Sequence, residues 1–224
     1  MMNGLRKILY RLYKKFEDSS LIVTCAHFVY NIILPILMHK NISYRYRPDK
    51  VKVDKKKADI KQIKDIKIAF ICDEMTFSSF KEECCAVYLT PSNWWSVMQE
   101  FKPDILFCES AWSGIEEYGD CWRGRIYRNK NILYENRKDL MNILDYCHRA
   151  EIKTVFWNKE DPFYFDDPKH NFSDTAILFD YIFTTAKECI EKYKALGHSK
   201  VNVLRRHRRV HRASLRVEAG AVSS

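Results

Sequence analysis

The chain has 224 residues, 46% hydrophobic, 14% aromatic and 30% charged, with 38 Lys and Arg against 29 Asp and Glu for a formal net charge of +9. Such apolar content excludes the disordered class, and the length suits one domain with an appendage. The basic excess lies outside the central stretch, in Arg6 to Lys15, Lys50 to Lys64 and Arg205 to Arg216, so no specific nucleic-acid partner is expected.

The eight cysteines show no CxxC spacing, and Cys72, Cys108, Cys147 and Cys189 sit in apolar runs where a free thiol acts as a small hydrophobe. Reduced thiols and the lack of a cleavable leader pattern make a cytoplasmic or membrane-peripheral location the expectation.

Leu5, Ile8, Leu9, Leu12 and Phe16 recur at helical spacing with Arg and Lys between them, a basic amphipathic helix. Leu21 to Met38 is nearly uncharged but contains Pro35, and it is near the lower length limit for a bilayer span. Residues 1–42 are therefore expected to be a helical segment, and residues 1–40 to contact a membrane surface or pack on a partner domain. Residues 43–65, with Pro48 and many lysines, predict a solvated linker.

From 66 to 204 the pattern alternates. Ile66 to Cys72 predicts a buried strand, Cys85 to Leu89 a second, and Thr90-Pro91-Ser92 opens a helix over Asn93 to Phe101. Ile105 to Cys108 predicts a third strand, followed by a long aromatic loop to about Arg128. Lys138 to Ala150 predicts a helix, Thr154 to Trp157 a strand, Asp180 to Phe183 another, Ala186 to Leu196 a helix stopped by Gly197, and Val201 to Leu204 a sixth strand. The expected fold class is α/β, a Rossmann-like doubly wound parallel sheet preceded by a helical N-terminal segment. Residues 205–224 turn abruptly Arg-rich, without lysine, and are expected to be a disordered tail of foreign or out-of-frame character.

In such a sheet, ligands bind outside the carboxyl ends of the strands. The residues found there are Asp73, Glu74, Thr76 and Phe77 after the first strand, Glu109, Ser110 and Trp112 after the third, Asn158, Lys159, Glu160 and Asp161 after the fourth, and Thr184 after the fifth. Carboxylates and amides can bind hydroxyls, and a Trp face can stack on a sugar ring, so a polyhydroxylated ligand fits better than a phosphate. No GxGxxG or Walker pattern occurs, no cofactor is expected, and neither the histidines nor the cysteines show metal-ligand spacing. Glu160 and Asp161, before Pro162, are the candidate catalytic pair, one of them a general base on an acceptor hydroxyl.

The runs IAFICDEMTFSSF, LTPSNW, KPDILFCESAW with Gly114 and Trp122, TVFWNKEDP, LFDYIFTT and CIEKYKALGH together resemble the CgeB-like glycosyltransferases over roughly Ile66 to Leu204. The resemblance implies a GT-B architecture of two Rossmann-like domains facing a cleft. This chain is similar to the N-terminal, acceptor-side domain, while the nucleotide sugar binds mainly on the other domain. It implies transfer of a sugar from a nucleotide donor to an acceptor hydroxyl in bacterial surface or spore polysaccharide synthesis. On this resemblance the chain is expected to be truncated, binding a glycan or other hydroxyl acceptor by itself and a nucleotide sugar only when a second domain is supplied. A non-catalytic glycan- or protein-binding module is the alternative. A receiver domain fits poorly, because Glu109 stands where a phosphoacceptor Asp would end the third strand.

Overall fold

The computed structural model describes Arg11 and residues 20–29, 46–51 and 62–204. Outside the described residues lie all but Arg11 of the expected basic helix, the later part of the apolar stretch, most of the Lys-rich linker and the tail 205–224.

Six short strands form one sheet: β1 (Lys67–Ile71), β2 (Cys85–Tyr88), β3 (Ile105–Glu109), β4 (Lys153–Asn158), β5 (Tyr181–Thr184) and β6 (Val201–Val203). All neighbours pair parallel, in the order β2-β1-β3-β4-β5-β6. This is the Rossmann-like doubly wound α/β fold, with the chain reversing its direction of travel across the sheet between β1 and β3. The β-branched and aromatic runs form central strands because their backbone bonds are satisfied on both edges while both faces are covered.

The described helices are α1 (Ser20–Phe28), α2 (Glu74–Phe80), α3 (Trp94–Phe101), α4 (Lys138–Arg149), α5 (Ser173–Ala176) and α6 (Cys189–Ala195). Thr90 and Asn93 cap the approach to α3 reciprocally: the Thr90 N–H donates to Asn93 Oδ1 at 2.7 Å and the Asn93 N–H to Thr90 Oγ1 at 3.1 Å. Trp94 and Met98 then enter the core, as do Leu140, Ile143 and Cys147 of α4 at the expected spacing. Helix α6 ends at a left-handed Gly197 (φ 88°), and His198 N–H bonds back to the Tyr193 carbonyl at 3.0 Å.

Three elements depart from the sequence reading, among them the four-residue α5, which has no helical spacing of its own. Helix α2 was not foreseen, since its Ser- and Thr-rich seven residues have weak intrinsic preference; packing of Phe77 and Phe80 on Phe70 makes it a helix. Helix α6 starts three residues later than expected, because Thr184 Oγ1 accepts the Ala186 N–H and holds that stretch in a turn. The linker is also not wholly solvated. Tyr46 packs on Trp94 and Trp95, with centroids at 5.4 and 5.9 Å, and donates to Asp145 Oδ2 at 2.5 Å.

Among the described residues, no helix is long and apolar enough to cross a membrane. The eight cysteines are free, and Cys72, Cys108, Cys147 and Cys189 are buried, as their apolar contexts require.

Candidate functional site

The strand order places the fold's natural crevice at the carboxyl ends of β1 and β3. There the chain assembles Asp73, Thr76, Glu109, Ser110, Trp112 and Lys159 from three separate strand ends. Asp73 is turned onto the loop after β3: its carboxylate accepts N–H bonds from Trp112 (2.9 Å), Ser113 (3.0 Å) and Gly114 (2.7 Å). Gly114 is required here, because its φ is 107° and a Cβ would meet Tyr88 Oη at 3.0 Å and Cys121 Sγ at 3.2 Å.

Glu109 has no exposed surface. Its Oε1 accepts the Asp73 N–H at 2.8 Å and pairs with Lys159 Nζ at 2.9 Å, while Oε2 makes no hydrogen bond of good geometry among the described residues. Burial pushes the Glu109 carboxyl above the usual carboxylate range, and the Lys159 ammonium pulls it back. Lys159 also reaches Thr76 Oγ1 at 3.5 Å, and its N–H donates to Ser110 Oγ at 2.9 Å. This Lys therefore bridges the ends of β3 and β4 and the start of α2.

Asn158, Asp161 and Thr184 gather in a second, buried network at the ends of β4 and β5. Asp161 Oδ1 accepts from Asn158 Nδ2 at 2.8 Å, and Oδ2 accepts from Thr184 Oγ1 at 2.6 Å and Tyr193 Oη at 3.0 Å. Both carboxylate oxygens are thus engaged by internal donors. Desolvation raises the Asp161 carboxyl to about 6, against the lowering effect of the Thr184 and Tyr193 hydroxyls. Its bond to Pro162 is cis. Glu160, next to it, is half-buried, and its N–H donates to Asn158 Oδ1 at 3.2 Å.

The remaining expected residues are dispersed. Glu74 is exposed and accepts from Ser78 Oγ (3.0 Å) and the Glu116 N–H (3.1 Å), which clips α2 to the loop. Phe77 is a packing residue against Phe70 and Tyr88.

The long loop after β3 is a packed roof. Trp122 is fully buried and its Nε1–H donates to the Leu89 carbonyl at 2.8 Å, while Arg125 and Asp139 form a buried pair at 2.6 Å. Half-buried Trp112 lies among Tyr127, Tyr164, His170 and Phe172, with ring centroids 5.1 to 5.6 Å from its own. Tyr127, Tyr164 and His170 are half-buried as well. Sequence reasoning missed these partners, since they are scattered over some forty-five residues on either side of α4 and β4 and share no spacing. The only signal was the aromatic density of the segments around Trp112 and Pro162.

Among the described residues, no group of three His, Cys, Asp or Glu side chains could hold a metal ion. Comparison with protein-family models, with curated proteins and with solved structures found no match to this chain.

Proposed function

We propose that residues 66–204 are the acceptor-side domain of a two-domain glycosyltransferase, holding a hydroxyl-bearing acceptor, a glycan or its like, against the carboxyl edge of the sheet. The observation that carries this reading is the position of Trp112. It follows the switch-point strand directly, stays half-exposed within a group of aromatic rings, and has its backbone fixed by Asp73. A rigid indole beside carboxylate, ammonium and hydroxyl groups offers a stacking surface for the C–H face of a sugar and partners for its hydroxyls. In this reading the nucleotide-sugar donor is held by a second domain, and the product belongs to a surface or spore polysaccharide.

Glu160 is then the better candidate for general base. Asp161 acts as a positioning residue, because its two oxygens already satisfy Asn158, Thr184 and Tyr193. That same internal engagement favours a second reading, a glycan-binding module without catalysis.

Calorimetric titration of a glycan panel into the chain, with UDP- and GDP-sugars titrated separately, tests both readings. A glycan that binds, and binds about tenfold more weakly to Trp112→Ala at unchanged melting temperature, supports the site. Absence of any glycan binding would remove the proposal. Sugar transfer once a donor-binding domain is added separates the enzyme from the binding module, and Glu160→Gln should abolish that transfer while leaving glycan affinity intact.

A further inference from the structure

Helix α1 (Ser20–Phe28) is fastened to the molecule through polar side chains. Ser20, Thr24 and His27, one face at i, i+4 and i+7, all bond to the loop that roofs the sheet. Ser20 Oγ donates to the Asn131 carbonyl at 2.9 Å, Thr24 Oγ1 accepts the Leu133 N–H at 3.1 Å, and the His27 ring lies 2.5 Å from Tyr134 Oη and 3.2 Å from the Gly124 carbonyl oxygen. The neighbouring stripe, Leu21, Cys25 and Phe28, faces outward: Leu21 is 64% exposed and Phe28 44%, and Leu133 beside them is 71% exposed. A water-facing helix ordinarily shows the reverse arrangement, with apolar residues packed inward. Of the α1 apolar side chains described, Leu21, Val23, Cys25 and Phe28, Val23 is the buried one.

We propose that this face, Leu21, Cys25, Phe28 and Leu133, docks on the surface of an anionic lipid bilayer. Charge selects the occupant. Residues 1–40 carry six Lys and Arg against two acids, five of the six before α1, and Lys130 stands exposed in the loop that α1 grips. Apolar side chains entering the headgroup boundary, on a chain whose sequence flanks them with basic residues, is the composition of an interfacial anchor. The anchor lies on the loop that also carries Trp112 and Tyr127, so docking would bring the roofed edge of the sheet near the membrane.

Co-sedimentation of the full chain with phosphatidylcholine vesicles, with and without phosphatidylglycerol, tests this. Expected are binding to the anionic vesicles alone, weakening as salt is raised, and a loss of about tenfold or more in Leu21→Ser/Phe28→Ser and in Leu133→Ser. Leu21 and Leu133 are exposed, so the melting temperature of Leu133→Ser should match that of the parent chain, while Phe28 also edges Tyr134 and its variant is compared at a temperature where it stays folded; a charge variant, Lys14→Glu/Lys15→Glu, should weaken binding independently of the apolar face. No vesicle binding, equal binding to neutral vesicles, or binding unaffected by the apolar substitutions would overturn the proposal. So would a solution dimer dissolved by Phe28→Ser, which would make a second copy the occupant.

Discussion

Two acids expected to meet substrate are instead held inside the protein, and each makes a testable demand on stability. Removing the Asp161 carboxylate in Asp161→Ala leaves Asn158, Thr184 and Tyr193 donors without their acceptor, a cost of about 3 kcal/mol or more by chemical denaturation. The carboxyl is raised to about 6 in the folded chain, so the folded state holds this proton more tightly than the unfolded one. Its contribution is therefore full at low pH and declines as pH rises through about 6, and the deficit of Asp161→Ala should be larger near pH 5 than above pH 7. Lys159→Met leaves buried Glu109 without its counter-charge, with an expected loss of about 3–5 kcal/mol at neutral pH. Because the Glu109 carboxyl is already pushed upward by burial, protonation relieves that loss, and the deficit should shrink as the solution is acidified. A deficit independent of pH would show that the Lys159 stem, not its charge, is what matters.

At the level of elements, the docking of α1 responds to acid through His27. Burial holds the His27 imidazole neutral, down at about 4, with nearby Arg125 opposing protonation further while the Gly124 carbonyl partly offsets both. For a base lowered in this way the undocked helix binds the proton more readily. Docking is complete above the ordinary histidine range near 6.5 and is lost progressively as pH falls towards 4. Hydrogen exchange should show amides of residues 20–28 exchanging faster at about pH 5 than at about pH 7.5, after correction for intrinsic rates, with the strands of the sheet unaffected. His27→Gln should abolish this pH dependence. Helix α2 depends on Phe77 and Phe80 in a different way, since its seven residues cannot sustain a helix without that packing.

Across the whole molecule, stability should be graded from the sheet centre outward. Strands β1, β3 and β4 are paired on both edges and carry fully buried Ala69, Ile71, Leu106, Cys108 and Phe156. Their amides should exchange only by global unfolding, whereas edge strands β2 and β6, and the docked segment at Tyr46, should open earlier. The roof over the carboxyl ends belongs with the stable part, since Trp122, Ile126 and the Arg125–Asp139 pair are buried within it. If residues 120–137 exchange as fast as a free loop, the rigid placement of Trp112 invoked for acceptor binding would be untenable.

The central fold was written into local pattern. Short apolar, β-branched runs separated by helical spacing specify parallel strands, Gly197 stops α6, and Thr90 with Asn93 starts α3, because each signal acts within a few residues. Strand ends were legible for the same reason, and Asp73, Glu109 and Lys159 meet beside the ends of β1, β3 and β4. Where the carboxylates point was not legible. Asp73 is claimed by backbone N–H groups about forty positions away and Asp161 by Tyr193, about thirty away, and no local rule records such partners. The aromatic surround of Trp112 and the polar bonds of Ser20, Thr24 and His27 to the roof are likewise long-range outcomes. The chain's periodicity determined the six strands and helices α3, α4 and α6, but only tertiary packing made α2 a helix and decided which polar groups are spent holding the fold and which face outward, because burial and hydrogen bonding compete across distances that sequence spacing does not encode.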